Sequence, residues 1–247
     1  MEFQIDNIYN QDCLSGMKQM PDNSVDIVIT SPPYNYNLRI MKGKYTIRSV
    51  KDHNKYGEIF KDGMPMDEYF NWQKECITEM MRISKGLVFY NIQLLTGNKV
   101  ALFRLFGEFA RQIKEVIIWD KIHAEPAKCE GILNSQYEFI IVFDKQQAIA
   151  RQFSVFNSDR GTVSNVFQIG KNRGKESKKH KAVFPIELPS KILTLFSKEG
   201  DTVLDPFIGI GTTAVAAIQN NRHFIGFELI KEFYDAAIER IKNETVK

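Results

Sequence analysis

Cysteine is scarce in this chain. Cys13, Cys76 and Cys129 are the only three in 247 residues, and no two stand as C-x-x-C. An odd, scattered set of that kind argues against a disulfide framework or a zinc site, and it fits a reducing compartment. Long apolar runs are missing too: nothing approaches the roughly 18 consecutive apolar residues that a membrane-spanning helix needs. The amino terminus, MEFQIDNIYNQDC, has neither the basic start nor the apolar centre of a secretion signal. No internal repeat or low-complexity tract occurs. A cytoplasmic, soluble protein without a membrane partner is expected. Charge of one sign is not in great excess either. Lys plus Arg number 33 against 30 Asp plus Glu, a formal net charge of +3 that is too mild to establish a polyanionic partner by itself.

What the chain does have is enough apolar and aromatic content, 43% and 12%, for a globular core. Its length suits one large domain over residues 1–247. Strand-like apolar runs at Val25–Thr30, Leu87–Ile92, Glu115–Trp119, Glu138–Phe143, Thr202–Asp205 and His223–Glu228 alternate with helical patterns. The helical patterns cover Asp67–Ser84, with Asp67 as N-cap, then Leu94–Arg111, Pro185–Ser197, Thr212–Asn220 and a last amphipathic stretch carrying Phe233, Ala237 and Ile241. Such alternation predicts an α/β fold with a mostly parallel, doubly wound sheet. Two segments read as basic loops. Tyr36–Lys55 carries Arg39, Lys42, Lys44, Arg48, Lys51 and Lys55 against Asp52 alone; Lys145–Lys181 sets nine Lys and Arg, among them Lys171, Arg173, Lys178 and Lys179, beside His180 and against only Asp159 and Glu176. One such segment is ordinarily a solvated surface, but two with aromatic residues nearby point to a polyanionic ligand.

Two motifs carry chemistry. DTVLDPFIGIGTTAVAA, Asp201 to Ala217, is a strand, a glycine turn and a small-residue helix. Gly209 and Gly211 let a ligand approach the backbone, and the helix starting near Thr212 offers unpaired N–H groups. Asp205-Pro206-Phe207 precedes the turn, and Phe207 is placed to flank a ligand. Glu228 ends the next strand, 19 residues after Gly209, where an acid can accept both hydroxyls of a ribose. No lysine follows the glycines, so this is not a P-loop. An acid before the turn suits a ligand bearing positive charge, and S-adenosyl-L-methionine fits. The second motif is DIVITSPPYN, Asp26 to Asn35, in which an apolar strand stops in a rigid aromatic corner.

Together these stretches resemble the permuted, beta-class amino-group DNA methyltransferases of restriction-modification systems. TSPPYN is similar to that family's catalytic motif and DPFIGIGTT to its cofactor motif. HKAVFPIELPSKIL, IIWDK, SQYEFIIVFDK and YNQDCLSGMKQMPDNSVD resemble its other segments, in the expected order. Ile210 departs from the small or polar residue often found between the glycines. The resemblance implies a Rossmann-like methyltransferase fold with circularly permuted motif order. It divides the chain into a catalytic half (1–144), a target-recognition insert (145–179) and a cofactor-binding half (180–247). It implies S-adenosyl-L-methionine as cofactor, with Asp12 and Cys13 near its adenine beside Asp205, Pro206, Phe207, Gly209, Gly211, Thr212 and Glu228. It further implies double-stranded DNA as substrate, met by Arg39, Lys42, Lys44, Arg48, Lys171, Arg173, Lys178, Lys179 and His180. A homodimer and a cognate restriction endonuclease are compatible with it.

The corner then acquires a chemical meaning. The exocyclic amine of a base is a poor nucleophile because its lone pair is delocalised into the ring. Ser31 and the Pro32 carbonyl can each accept one amine N–H, Pro32 and Pro33 hold those acceptors rigid, and Tyr34 can stack on a base flipped from the duplex. Methylation at cytosine carbon 5 would need a cysteine after proline. Here the three cysteines follow Asp12, Glu75 and Lys128. Ser31 favours cytosine N4, because relatives acting on adenine N6 often carry Asp or Asn there; adenine N6 is the alternative. An RNA base methyltransferase and a catalytically silent DNA-binding module are the remaining readings.

Overall fold

Ile27-Val28-Ile29-Thr30 is buried at all four positions. A strand with no exposed face must lie inside a sheet covered on both sides. It does so in the structure, a computed structural model that describes residues 3–41, 44–47, 60, 62–126, 130–146, 150–171 and 184–245. The strands are β1 (Asn7–Tyr9), β2 (Ile27–Thr30), β3 (Leu38–Met41), β4 (Lys44–Ile47), β5 (Val88–Ile92), β6 (Ile113–Glu125), β7 (Ser135–Phe143), β8 (Val166–Gln168), β9 (Thr202–Asp205) and β10 (His223–Phe227). The helices are α1 (Cys13–Gln19), α2 (Met66–Ile83), α3 (Lys99–Glu108), α4 (Glu187–Phe196), α5 (Thr212–Gln219) and α6 (Lys231–Thr245).

Among the described residues the main sheet has eight strands in the order β1-β10-β9-β2-β5-β7-β6-β8. The first five of that order run parallel. β7 is antiparallel to both its neighbours, and β8 is parallel to β6. Side chains alternate between the two faces, as the two-residue strand period requires. Val28, Val88 and Tyr90 enter one core with Met17, Tyr69 and Met80 of α1 and α2. Ile27, Ile29 and Phe89 enter the other with Ile192, Phe196, Ala214 and Ala237 of α4, α5 and α6. The sheet is thus doubly wound and mostly parallel, as the alternation of strand and helix predicts. No helix among the described residues is long and apolar enough to cross a membrane.

Local expectations differ in several places: β6 runs over Ile113–Glu125 and β7 starts at Ser135, both longer than the apolar runs expected there. Asp67 is not the N-cap of α2. Pro65 occupies that position, and Asp67 lies in the first turn, where the helix dipole favours its charge. The helix expected over Leu94–Arg111 is shorter, because Asn98 takes the Leu95 N–H and turns its own amide to the carbonyls of Tyr34 and Gln93. The first basic segment contains the two-stranded antiparallel hairpin β3–β4. The second contains β8, whose Phe167 is buried against the sheet.

Candidate active site

Every strand of the parallel group points its carboxyl end at the same edge of the sheet, where ligands of open α/β folds bind. There the loops after β10, β9, β2 and β5 stand side by side. The two motifs meet directly: the Thr30 hydroxyl at the end of β2 donates to Asp205 Oδ1 at the end of β9, over 2.6 Å. The end of β1 joins them, because Asn10 donates to the Glu228 carbonyl at 2.8 Å.

Asp205 is only 2% exposed. Besides Thr30, its carboxylate accepts the Phe207 N–H (3.0 Å) and the Thr213 hydroxyl (2.6 Å). Burial pushes its carboxyl up to about 6, and the hydrogen bonds oppose that rise. The acid expected to face a cationic ligand therefore fastens the turn from beneath. Glu228 accepts the Gly209 N–H through Oε2 (3.0 Å) and the Ile230 N–H through Oε1 (2.7 Å). Burial first, and the nearby Asp205 charge to a lesser degree, push it up to about 7.

The two glycines divide the labour. Both have positive φ, +55° at Gly209 and +82° at Gly211. A Cβ on Gly211 would meet Ala237 Cβ of α6 at 3.3 Å, whereas a Cβ on Gly209 would find nothing within 4 Å. Gly209 therefore faces open space and Gly211 serves helix packing. Thr212 is buried and accepts from Arg240 of α6 at 3.0 Å, so it too looks away from the opening. Pro206 is buried. Phe207 is half-buried and edge-on to Trp72, with ring centroids 5.7 Å apart. Asp12 caps α1 by accepting the Ser15 N–H at 2.9 Å, and Cys13 is buried in the core beneath it.

Two buried carboxyls with raised values make stability depend on pH. The folded chain holds these protons more tightly than the unfolded chain, whose ordinary values are 3.8 and 4.5. Their contribution to folding is complete below those values and is lost as pH rises through about 6 and about 7. The ligand-free protein should therefore melt lower at pH 8 than at pH 5.5 in this respect. Scanning calorimetry at the two pH values checks this, with a shift on the order of 2–4 °C for each kcal/mol lost, and a melting point no lower at pH 8 would contradict it.

The corner after β2 is held from three sides. The Tyr69 hydroxyl of α2 donates to the Pro33 carbonyl (2.8 Å), and Asn98 donates to that of Tyr34 (3.0 Å). Asn35, at φ +56°, ties its amide to Met64 and to the Gly97 carbonyl. Gly97 is obligatory, since a Cβ there would lie 2.1 Å from the Asn35 carbonyl oxygen. Among the described residues the Pro32 carbonyl accepts no hydrogen bond.

Ser31 and Tyr34 are half-buried, and their hydroxyls lie 2.7 Å apart. The Tyr34 hydroxyl donates to Glu138 Oε2 (2.9 Å) and accepts from Asn91 (2.8 Å), which also donates to Glu138 (2.7 Å). Lys121 closes the cluster with a buried ion pair to Glu138 Oε1 at 2.8 Å. Motif reasoning missed Asn91, Glu138 and Lys121. For Asn91 the signal was a polar residue inside an otherwise apolar strand run; Glu138 and Lys121 have polar neighbours that mask them.

Of the basic residues expected at nucleic acid, Arg39 and Lys44 lie on the hairpin that follows the corner. Lys44 is exposed, and the Arg39 guanidinium stands over the Tyr36 ring at 5.4 Å. Lys171 is half-buried just beyond β8. Lys42, Arg48, Arg173, Lys178, Lys179 and His180 lie outside the described residues.

Comparison with known proteins places this edge in context. Residues 25–239 match the profile of a family described as DNA methylase. The chain is 27% identical to the type II methyltransferase M.BglII of Bacillus subtilis, over 97% of this chain and 70% of that protein. It is also 27% identical to M.MjaI of Methanocaldococcus jannaschii, over 91% and 88%. Among solved structures it resembles the cytosine-N4-specific PvuII DNA methyltransferase at a TM-score of 0.69 and 17% identity, over 96% and 90% of the two chains. It resembles the M1.HpyAVI–SAM complex at 0.61 and 20%, over 95% and 98%.

Proposed function

We propose, from the premise that this chain belongs to the DNA methylase family, that it transfers a methyl group from S-adenosyl-L-methionine to the N4 amine of a cytosine flipped out of double-stranded DNA. The observation that carries this is the junction of two unlike sites at one edge: the Ser31 hydroxyl and Pro32 carbonyl of the corner, and an open glycine turn beside Glu228, joined through Thr30 and Asp205.

The residues fit the cofactor. The space in front of Gly209 would be filled by a Cβ. Each Glu228 oxygen accepts one backbone N–H and retains a lone pair for a ribose hydroxyl. Gly209, Glu228 and Phe207 would hold the cofactor, with Asp12 near its adenine and Asp205 shaping the turn. S-adenosyl-L-methionine, when bound, supplies an electrophilic methyl group on a sulfonium.

The chain's own residues prepare the amine. The base leaves the duplex at a cost of a few kcal/mol, which pocket contacts offset. Ser31 Oγ and the Pro32 carbonyl each accept one amine N–H, drawing the nitrogen toward tetrahedral geometry. Both acceptors are fixed before reaction, so little reorganisation accompanies the charge that develops. Tyr34, pinned through its hydroxyl, offers its ring to the base. Arg39 and Lys44 meet phosphates from the neighbouring hairpin. Duplex affinity unchanged by replacing both with alanine would remove the hairpin from this account.

The test is nucleoside analysis of duplex DNA and of RNA incubated with protein and cofactor. N4-methylcytosine in DNA is the expected product. If N6-methyladenine alone appears, the argument from Ser31 to cytosine fails while amino methylation stands. Methylation confined to RNA changes the substrate. No product with cofactor bound leaves only a silent binding module.

A further inference from the structure

Ser31 has one hydroxyl proton, and its direction decides whether Ser31 can accept from an amine. That direction is settled two residues away. Glu138 is ion-paired with Lys121 inside the protein; Lys121 is 2% exposed and Glu138 is 7% exposed. A carboxylate only accepts hydrogen bonds. Tyr34 must therefore donate its single proton to Glu138 Oε2, and Asn91 must turn its Nδ2 to the same oxygen. The Tyr34 oxygen is left as an acceptor, taken by Asn91 at 2.8 Å and by Ser31 at 2.7 Å. Ser31 must then point its proton inward at Tyr34. Its lone pairs face the opening, where the only further contact among the described residues is the long 3.5 Å one from Asn91.

We infer that Glu138, held by Lys121, is a positioning residue: it orders the hydroxyl protons of Tyr34 and Ser31 so that Ser31 meets the target amine as an acceptor. This rests on the amino-methylation reading above and extends it to residues on β6 and β7. The polarity of the relay would reverse with a neutral amide at 138. Lys121 would hold the amide oxygen, the amide NH2 would donate to Tyr34 and to an Asn91 turned to offer its Oδ1, and Tyr34 would donate to Ser31. Ser31 would then present a proton to an amine that also carries protons. The pocket as built selects a hydrogen-bond donor, which the amines of cytosine and adenine are and a ring carbonyl is not.

The experiment is a set of kinetic comparisons with DNA and S-adenosyl-L-methionine as substrates. Glu138→Gln should lower kcat about a hundredfold, the scale of one lost preorganised hydrogen bond. KM for DNA and calorimetric affinity for the cofactor should stay within about threefold of the parent, well inside the tenfold that 1.4 kcal/mol represents. Tyr34→Phe cuts the relay, so adding Glu138→Gln to it should cost nothing more. Should Glu138→Gln fail to fold, Lys121→Met/Glu138→Gln removes the unpaired ammonium and takes its place, with the same expectation. An active parent with undiminished kcat in the 138 variant would overturn the inference alone. So would a loss in the Tyr34→Phe background as large as in the parent, since that marks a merely structural role. A parent inert on every DNA would defeat amino methylation itself and this inference with it.

Discussion

Gly209→Leu should abolish measurable binding of S-adenosyl-L-methionine while leaving a folded protein. The side chain would project from the one glycine of the turn whose Cβ direction is open, into the space assigned to the ligand. Its left-handed backbone costs a non-glycine residue roughly 1–2 kcal/mol, a tolerable loss for a domain of this size. A loss of at least a hundredfold in affinity is expected, about 2.7 kcal/mol. Gly211→Leu offers the contrast. Its side chain would run into Ala237 of α6, so the damage should appear as a lower melting temperature. The sequence alone treats the two glycines alike; the helix packed behind Gly211 leaves the open side of the turn to Gly209. Calorimetric titration decides, and parent-like affinity in the Gly209 variant would remove the turn from the cofactor site.

Ser31→Ala should lower single-turnover methyl transfer by a factor on the order of 10²–10³, the usual loss for one preorganised hydrogen bond at a centre of developing charge. The substitution removes the acceptor for one amine N–H and withdraws the proton that Ser31 gives to Tyr34. Cofactor affinity should not move, because Glu228 and Gly209 lie on the loops after β10 and β9, and Thr30 rather than Ser31 bridges to them. DNA affinity should fall much less than the rate, since phosphate contacts dominate it. Rapid-quench measurement with labelled cofactor checks the split. A rate within a fewfold of the parent would mean that the amine is held elsewhere.

Much of this was legible in the sequence where the physics is local. The Thr202–Asp205 strand was recovered to the residue, because a buried parallel strand is an apolar run with a turn after it. Both motifs were legible for the same reason: the corner spans Thr30 to Asn35, the glycine loop Asp205 to Thr213. The hairpin β3–β4 was not, since its exposed Lys44, Tyr45 and Ile47 lack the alternation of a half-buried strand. The direction of the Asp205 carboxylate was hidden too. One of its partners, Thr30, is 175 residues away in sequence, and only strand order brings them together. Glu138 was hidden in the same way, 104 residues from Tyr34.

The insertion of β9 and β10 between β1 and β2 has a bearing on how the protein is made. During synthesis β2 emerges early and finds β5 within about sixty residues, Val28 pairing with Val88. Its other edge pairs Ile27 with Val203, and Thr202 with its anchor on Asp26 is 176 residues downstream. Until that stretch leaves the ribosome, the strand leading into the Ser31–Tyr34 corner has a bare apolar edge, the kind of surface that recruits chaperones or a second nascent chain. A high proportion of such distant pairings also slows folding. Methyl transfer would therefore begin only after the last strand has closed the middle of the sheet, so an unfinished chain could carry a complete TSPPYN corner and still leave the DNA unmodified.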